Sequence, residues 1–188
     1  MQHLRQSLTV SAEKVLDPHD VLIGCGLQSG MHIADFGCGN GQFTIPAAHI
    51  VGARGSVRAI DLNADVLRGV DSQAKSDGLA NVEIITADLE NYGSTNIAEG
   101  ILDAVLMISN HSNSEAQHNM MREASRILKK GGKIFLIEWL DGNTIPFAPA
   151  ISARVSRETT IVNANSLGLT VVDEFRPGRY HYGLKLQK

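Results

Sequence analysis

The chain contains little of several residue types that would place it in a specialised class of protein. Its two cysteines, Cys25 and Cys38, stand among 188 residues, which is too few for a disulfide framework, and their spacing is not typical of a zinc site. We therefore expect both to be reduced. Aromatic residues make up only 5% of the chain, and no apolar run approaches the roughly 18 residues that a membrane-spanning helix needs.

The chain also has no large excess of either positive or negative charge. Seventeen basic and twenty acidic residues give a net charge of -3, so no strong overall field favours nucleic acid or an anionic membrane. The first 18 residues contain no hydrophobic stretch like that of a secretory signal, which predicts a cytoplasmic location. We expect a small-molecule substrate and no nucleic-acid partner, and the oligomeric state stays open.

From residue 31 onward, short apolar runs rich in Val and Ile alternate with stretches of helical periodicity. The predicted strands are 31–36, 57–61, 82–86, 102–108, 133–140, 170–175 and 182–186. This alternation predicts an α/β fold: a doubly wound, mostly parallel, seven-stranded Rossmann-like sheet with helices on both faces. The link after the sixth strand is too short for a crossover, so we expect an antiparallel last strand.

Polar residues mark where several helices begin. Asp17 precedes a proline and predicts a short helix in the N-terminal segment, and Asn63 is positioned to cap another helix. Ser114 and Gln117 have capping-box spacing and predict a helix that ends at the glycines 131–132. We predict a helical N-terminal segment over 1–30, packed on a single larger domain over 31–188.

The strongest local pattern is a strand that runs into glycines at alternate positions, Gly37, Gly39 and Gly41. Glycine there lets the backbone turn tightly and approach a ligand closely, because no Cβ atom intervenes. The dinucleotide fingerprint Gly-x-Gly-x-x-Gly would need glycine where this chain has Gln42. The pattern therefore predicts a ligand-binding turn that differs from the dinucleotide-binding one.

Carboxylates end or follow the first three predicted strands, at Asp35, Asp61 and Asp88. Parallel strands open on one edge of the sheet about 4.8 Å apart, so the three groups would span roughly 10 Å of one crevice. Asp61 is placed to accept bonds from two ribose hydroxyls, and Asp88 from an exocyclic amine. No basic residue lies between Gly37 and Arg54, which favours a ligand with hydroxyls, amines and positive charge over a phosphate.

In order along the chain, these motifs resemble those of the class I S-adenosylmethionine-dependent methyltransferases. The segments that carry the resemblance are DFGCGNG (35–41), AIDLN (59–63), ITADLEN (85–91), RILKKGGKIFLIEW (126–139) and RPGRYHYGLKL (176–186). The last of these is similar to the closing strand of small, single-domain enzymes of the ubiquinone/menaquinone-methyltransferase-like group. The resemblance covers residues 15–188 and implies S-adenosylmethionine as cofactor, with S-adenosylhomocysteine as product.

The resemblance also implies which residues hold the methionine part of the cofactor. Gly37, Gly39 and Gly41 would pass beneath it, and Asp35 would support its amino group. The backbone after the fourth strand, at Asn110, would complete this pocket. Residues 109–113 read SNHSN, where the family often has a Pro-Pro-aromatic motif. That departure argues against the prediction that this chain methylates the amino groups of nucleobases.

On the adenosine side, the resemblance implies that Asp61 binds the ribose. Leu62 and Leu89 would sandwich the adenine, and Asp88 would meet its amine. The roles of Asp61 and Asp88 agree with those expected from their strand-end positions, whereas the roles of Leu62 and Leu89 are implied by the resemblance alone.

Candidates on the acceptor side follow from the predicted topology. The fourth and fifth strands would end at the cofactor edge and place His111 and Glu138 near its mouth, and the last strand would begin there with Tyr180, His181 and Tyr182. His111 is the candidate catalytic base, although an ordinary loop histidine is the commoner explanation of such a residue. Edge-strand packing is likewise the commoner explanation of the Tyr180–Tyr182 cluster. Methyl transfer is an in-line displacement that depends mainly on positioning and desolvation, so a base is not obligatory.

Two other functional classes stay open: an NAD(P)-binding oxidoreductase that uses the same glycine turn, and a non-catalytic module that binds S-adenosylmethionine. We expect no metal site, since clustered acidic ligands after the fourth strand are absent. The apolar loop 143–151 is compatible with a lid over the substrate and with simple packing. No motif encodes the methyl acceptor or the atom that is methylated.

Overall fold

The computed structural model describes residues 16–110, 113–142 and 148–188 and contains the predicted seven-stranded sheet. The strands are β1 (His32–Phe36), β2 (Ser56–Asp61), β3 (Val82–Thr86), β4 (Leu102–Ile108), β5 (Leu128–Trp139), β6 (Thr170–Phe175) and β7 (His181–Gln187). Their order across the sheet is β3-β2-β1-β4-β5-β7-β6. Strand β7 runs antiparallel to both of its neighbours, β5 and β6, and every other pair of neighbouring strands is parallel. This arrangement confirms the predicted fold class.

The described helices are α1 (Pro18–Cys25), α2 (Thr44–Val51), α3 (Ala64–Ser76), α4 (Ser114–Ile127) and α5 (Arg157–Ser166). Two of them begin where the sequence predicts. The Asp17 carboxylate accepts a bond from the backbone N–H of Asp20, and the Asn63 side chain accepts one from Asp65. Such caps satisfy backbone donors that the first turn leaves free. None of the helices described is long and apolar enough to cross a membrane.

The structure corrects both predicted ends of α4. Its N-cap is Asn113, whose side-chain oxygen accepts the N–H of Ala116 at 3.0 Å, rather than Ser114. The helix ends at Ile127 rather than at the glycine pair, because Leu128 already pairs with Leu102 in the sheet. The glycines 131–132 therefore lie inside β5, at an irregularity of the β4–β5 ladder.

Apolar residues pack the helices against both faces of the sheet. On one face, helices α1 and α2 contribute Leu22 and Val51 to a core that also contains Phe135 of β5. On the other face, helices α4 and α5 contribute Met121 and Ala164 to the largest core cluster. Burying a side chain of the size of Leu22, Val51, Phe135 or Met121 contributes about 1.5–3 kcal/mol. These two cores hold the ends of β1, β2, β4 and β5 together at one edge of the sheet. The domain boundary predicted near residue 30 stays a prediction.

Candidate functional site

The glycine-rich turn after β1 has left-handed backbone at all three predicted positions, with φ angles of +66° at Gly37, +50° at Gly39 and +82° at Gly41. A Cβ atom on Gly37 would lie 3.3 Å from the Asn110 side chain, and one on Gly41 would lie 3.1 Å from Val70. A Cβ atom on Gly39 would meet no atom within 4 Å. Gly39 is therefore the glycine whose missing side chain leaves open space above the turn.

Asp61 joins the end of β2 to this turn. One of its carboxylate oxygens accepts the backbone N–H of Gly39 at 3.0 Å, and the other accepts the N–H of Asn63 at 2.9 Å. Each oxygen keeps a second lone pair for a further donor. The glycine turn and the second acidic strand end thus form one continuous surface, as strand topology predicts for this edge.

Asp35 is almost completely enclosed, with 4% of its surface exposed. Burial raises the pKa of Asp35 to about 7, against the opposing effect of a 2.6 Å hydrogen bond from the Thr44 hydroxyl, and the nearby charge of Asp61 raises it further. A carboxyl group in this state ionises readily when a cation comes close. Thr44 was not among the sequence candidates, because nothing in its spacing distinguishes it from an ordinary helix residue.

The turn after β4 carries two buried polar atoms that have no partner among the residues the structure describes: the Ser109 hydroxyl and the side-chain oxygen of Asn110. The Asn110 amide donates instead to the carbonyl of Phe36 at 2.9 Å, which fixes the side chain over the glycine turn. Ser109 also has a φ of +52°, which is uncommon for a residue other than glycine. Unsatisfied buried groups at such a position indicate a ligand or ordered water.

The predicted adenine side is less uniform. Asp88 uses both carboxylate oxygens within its own loop, accepting the N–H of Glu90 at 3.1 Å and the side-chain amide of Asn91 at 2.8 Å. Leu62 is 68% exposed, whereas Leu89 is buried in the large core. The structure therefore leaves Leu62 free to contact a ligand, and it packs Leu89 inward.

On the acceptor side, Glu138 is buried near the end of β5, with 7% of its surface exposed. Burial raises the pKa of Glu138 to about 7, although the backbone N–H groups of Asn110 and Trp139 partly oppose this rise. Its contact with Asn110 links the carboxylate to the turn after β4. Glu138 therefore lies beside the predicted methionine pocket.

His181 begins β7 opposite Trp139, and the centroids of the two rings are 4.1 Å apart. It is 1% exposed, and its Nδ1 atom has no hydrogen-bond partner within the described ranges. Burial, followed by the charge of Arg154, lowers the pKa of His181 to about 4. The imidazole is consequently neutral near pH 7.

Tyr182 pairs with Glu138 across the sheet, but its hydroxyl belongs to a structural network. It donates to the carbonyl of Val155 at 2.8 Å and lies 2.8 Å from the Thr160 hydroxyl, and burial raises its pKa. Tyr180 precedes β7 and is half-buried. The predicted base, His111, lies outside the described residues.

Another residue that the sequence patterns did not identify is Glu123 of α4, a fully buried carboxylate bonded to the loop after β3. The sequence does contain a signal for Glu123, because this charged residue interrupts the apolar stripe formed by Met120, Ala124 and Ile127.

Over the part of the chain that the structure covers, no group of three or more His, Cys, Asp or Glu side chains is placed to hold a metal ion. The expectation of no metal site stays a prediction.

Comparison with known proteins identifies relatives of this arrangement. An arsenite methyltransferase of Aquipseudomonas alcaligenes is 32% identical over 121 residues, which are 60% of this chain and 35% of that protein. A ubiquinone/menaquinone biosynthesis C-methyltransferase of Shewanella sp. is 27% identical over 115 residues, covering 61% of this chain and 45% of that protein. The chain thus spans between about a third and a half of the length of these curated relatives.

The fold has a close counterpart in the crystal structure of a SAM-dependent methyltransferase from Aquifex aeolicus. The TM-score is 0.81 at 22% identity, over 92% of this chain and 89% of that chain. A family model described as a methyltransferase domain matches residues 27–169. The chain therefore belongs to the methyltransferase domain family, which confirms the resemblance to S-adenosylmethionine-dependent methyltransferases drawn from its motifs.

Proposed function

We propose that this chain binds S-adenosylmethionine and transfers its methyl group to a small-molecule acceptor. The observation that carries the proposal is the bond between the Gly39 N–H and the Asp61 carboxylate, beside open space above Gly39. Family membership supplies the cofactor class, and the geometry fits it. A side chain at Gly37 or Gly41 would crowd against Asn110 or Val70. The buried oxygens of Ser109 and Asn110, which have no hydrogen-bond partner among the residues described, lie at the same edge.

When bound, the cofactor supplies an electrophilic methyl group on a sulfonium. The chain's contribution begins with Asp35, whose enclosed carboxyl ionises to favour positive charge at this edge. The oxygens of Ser109 and Asn110 accept hydrogen bonds, and the glycine turn lets the backbone approach closely. Because these groups are held by β1, β2 and β4, they are already oriented before any ligand arrives, which lowers the cost of binding.

For the adenosine part, we propose that Asp61 binds the ribose hydroxyls with its remaining lone pairs. Leu62 would cover one face of the adenine, and Leu89 would border the other from the core. Asp88 would accept a bond from the exocyclic amine in addition to its two loop bonds. These roles are supported by position at the strand ends and by the lone pairs that remain.

On the acceptor side, we propose that Glu138 and His181 border the site where the methyl group is received. His181 is neutral near pH 7 and has an unpartnered nitrogen among the described residues, so it can accept a hydrogen bond from the acceptor. Tyr182 supports the strand through its own network, and Tyr180 lies at the rim. His111 remains the proposed base where the acceptor must lose a proton.

The two curated relatives support a small-molecule acceptor. One is named for arsenite and the other for ubiquinone and menaquinone biosynthesis. The net charge of -3 gives no general attraction for nucleic acid. We therefore propose a small molecule and no nucleic-acid partner, and the cytoplasmic location stays a prediction.

Calorimetry with S-adenosylhomocysteine and, separately, NADH tests the cofactor assignment. We expect S-adenosylhomocysteine to bind and NADH to give no signal. Asp61→Ala should weaken binding by about 1–3 kcal/mol, because ribose hydroxyls lose their acceptor. Asp65→Ala removes an exposed carboxylate from the neighbouring helix and is the matched control. Binding of NADH, or unchanged affinity in Asp61→Ala, would contradict the assignment.

Formation of S-adenosylhomocysteine over a panel of small acceptors distinguishes an enzyme from a non-catalytic binding module. We expect turnover with at least one acceptor that bears a nucleophilic carbon, oxygen, sulfur or arsenic. Binding of the cofactor without turnover on any member would favour the non-catalytic alternative. Comparing His111→Ala with the original chain on the active acceptor then tests the proposed base.

A further inference from the structure

The loop between β3 and β4 contains the proposed adenine contact Asp88, yet it has no regular secondary structure to hold it. It is fixed instead by two residues of α4, Glu123 and Arg126, which we call the α4 clasp. The Glu123 carboxylate accepts hydrogen bonds from the Gly93 N–H at 2.8 Å and from the Thr95 hydroxyl at 2.6 Å. It also accepts two bonds from the Arg126 guanidinium, at 2.9 and 2.6 Å.

Arg126 extends the clasp along the loop. Its guanidinium donates to the carbonyl of Ile97 at 2.7 Å and lies 3.3 Å from the Thr95 hydroxyl. Between Thr95 and Ile97, Asn96 has a φ of +53°, a backbone conformation that residues other than glycine adopt rarely. The clasp therefore holds the loop from residue 93 to residue 97 in one conformation.

The held part of the loop connects directly to Asp88. The Ser94 hydroxyl donates to the Asp88 carbonyl at 2.6 Å, and the N–H of Asn91 donates to the same carbonyl at 3.0 Å. The Asp88 carboxylate is in turn bonded to residues 90 and 91. The buried carboxylate of α4 is thus linked to Asp88 by its bonds to residues 93 and 95, by the backbone between them, and by the bond from Ser94 to Asp88.

Packing alone does not account for a charge at position 123. Glu123 has no exposed surface and interrupts the apolar stripe of α4. Burial would raise its pKa, but the bonds from Arg126, Thr95 and Gly93 outweigh this effect, and the pKa lies below its ordinary value. Replacing a buried ion pair with apolar residues of similar volume often leaves stability unchanged or increases it, so a role in positioning explains the pair better than stability does.

We propose that Glu123 is a positioning residue for adenine recognition: through Gly93 and Thr95, it holds the loop that presents Asp88 to the exocyclic amine. This inference rests on the proposed binding of an adenosine cofactor. It adds the requirement that discrimination at the purine 6-position depends on a residue of α4 that does not touch the ligand.

The test compares two ligands, S-adenosylhomocysteine and S-inosylhomocysteine, which carries an oxygen in place of the 6-amino group. In the original chain we expect about tenfold tighter binding of S-adenosylhomocysteine, the worth of one hydrogen bond to a charged group. Glu123→Gln should reduce this preference to less than about twofold by weakening only the adenosine ligand. The double variant with Asp88→Ala should lose no more of the ligand preference than Asp88→Ala alone, because both changes remove the same contact.

Glu174→Gln is the matched control, since it makes the same chemical change at the Arg157–Glu174 pair between α5 and β6. We expect it to keep the full ligand preference. Thr95→Val removes a single donor to Glu123 and supplies a second variant in case Glu123→Gln does not fold. If Glu123→Gln weakens the binding of both ligands equally, or if its loss of preference adds to that of Asp88→Ala, the inference is overturned. Failure of the original chain to bind S-adenosylhomocysteine would instead refute the proposed function.

Discussion

At the scale of single residues, the site contains carboxyl groups that are buried, although burial disfavours their charged form. Asp35 and Glu138 each have a pKa raised to about 7 by burial. A carboxyl group with a raised pKa binds its proton more tightly in the folded chain than in the unfolded chain. Its contribution to the free energy of unfolding is therefore fully present below pH about 4, the ordinary pKa of a carboxyl group. The contribution is lost as the pH rises through the folded-state pKa of about 7.

Asp35→Asn tests this linkage. The amide keeps an acceptor for the Thr44 hydroxyl but does not ionise, so the contribution of Asp35 to the fall in the free energy of unfolding between pH 4 and 7 should disappear. The contribution of Glu138 remains, as does the opposing one of His181, whose lowered pKa makes stability rise with pH over the same range. Denaturant unfolding across this pH range measures the change. Glu138→Gln should remove the contribution of Glu138 in the same way. If the free energy of unfolding depends on pH in both variants as it does in the original chain, burial does not raise the pKa of either carboxyl group.

Gly39→Ala separates the cost of backbone strain from the cost of blocking a ligand. The new methyl group meets no atom within 4 Å, so only the positive φ opposes it, at about 1–2 kcal/mol of stability. We expect binding of S-adenosylhomocysteine to fall at least tenfold, because the methyl group occupies the space above the turn. Gly26→Ala also adds a methyl group in open space at positive φ, but at the end of α1, and should leave affinity unchanged. Equal affinities in the two variants would place the ligand elsewhere.

At the scale of secondary-structure elements, four of the five described α-helices begin at a capping side chain, and α2 does not. Neighbouring polar residues can be mistaken for each other as the cap. Asn113 and Ser114 both suit an N-cap, and the structure uses Asn113. The Ser114 hydroxyl instead accepts a bond from Asn163 of α5. Helix α5 has a similar signal, with Ser156 bonded to the N–H of Thr159, and the sequence patterns did not identify it.

Asn113→Ala should lower the free energy of unfolding by about 1 kcal/mol, because the first turn of α4 loses its cap. Ser114→Ala should change it by less than about 0.5 kcal/mol, since the bond it loses is exposed. Urea unfolding of both variants measures the difference. A larger effect at Ser114 would restore the cap predicted from the capping-box spacing.

At the scale of the whole molecule, the proposed site joins the ends of β1, β2 and β4 with the loop after β3. A ligand that bridges these strands binds the folded chain and not the unfolded chain, so it stabilises the fold by mass action. The same reasoning makes the midpoint of thermal unfolding a measure of which cofactor the chain accepts.

S-adenosylhomocysteine at one hundred times its Kd should therefore raise the free energy of unfolding by about 2.7 kcal/mol. For a chain of this size, each kcal/mol shifts Tm by about 2–4 °C. Scanning calorimetry with and without the ligand measures the shift, and NADH at the same concentration is the comparison. A Tm raised by NADH alone would favour the oxidoreductase alternative.

The sequence by itself determined the strand pattern, the antiparallel end of the sheet, the glycine turn and the family. These features depend on residues close together in the chain, where the period of apolar residues and the spacing of glycines report local conformation. Only the tertiary structure decided that Asp61 meets Gly39, that Asp35 and Glu138 are enclosed, and that Glu123 reaches Gly93. Burial and pairing depend on neighbours brought from distant parts of the chain, and no local period encodes them.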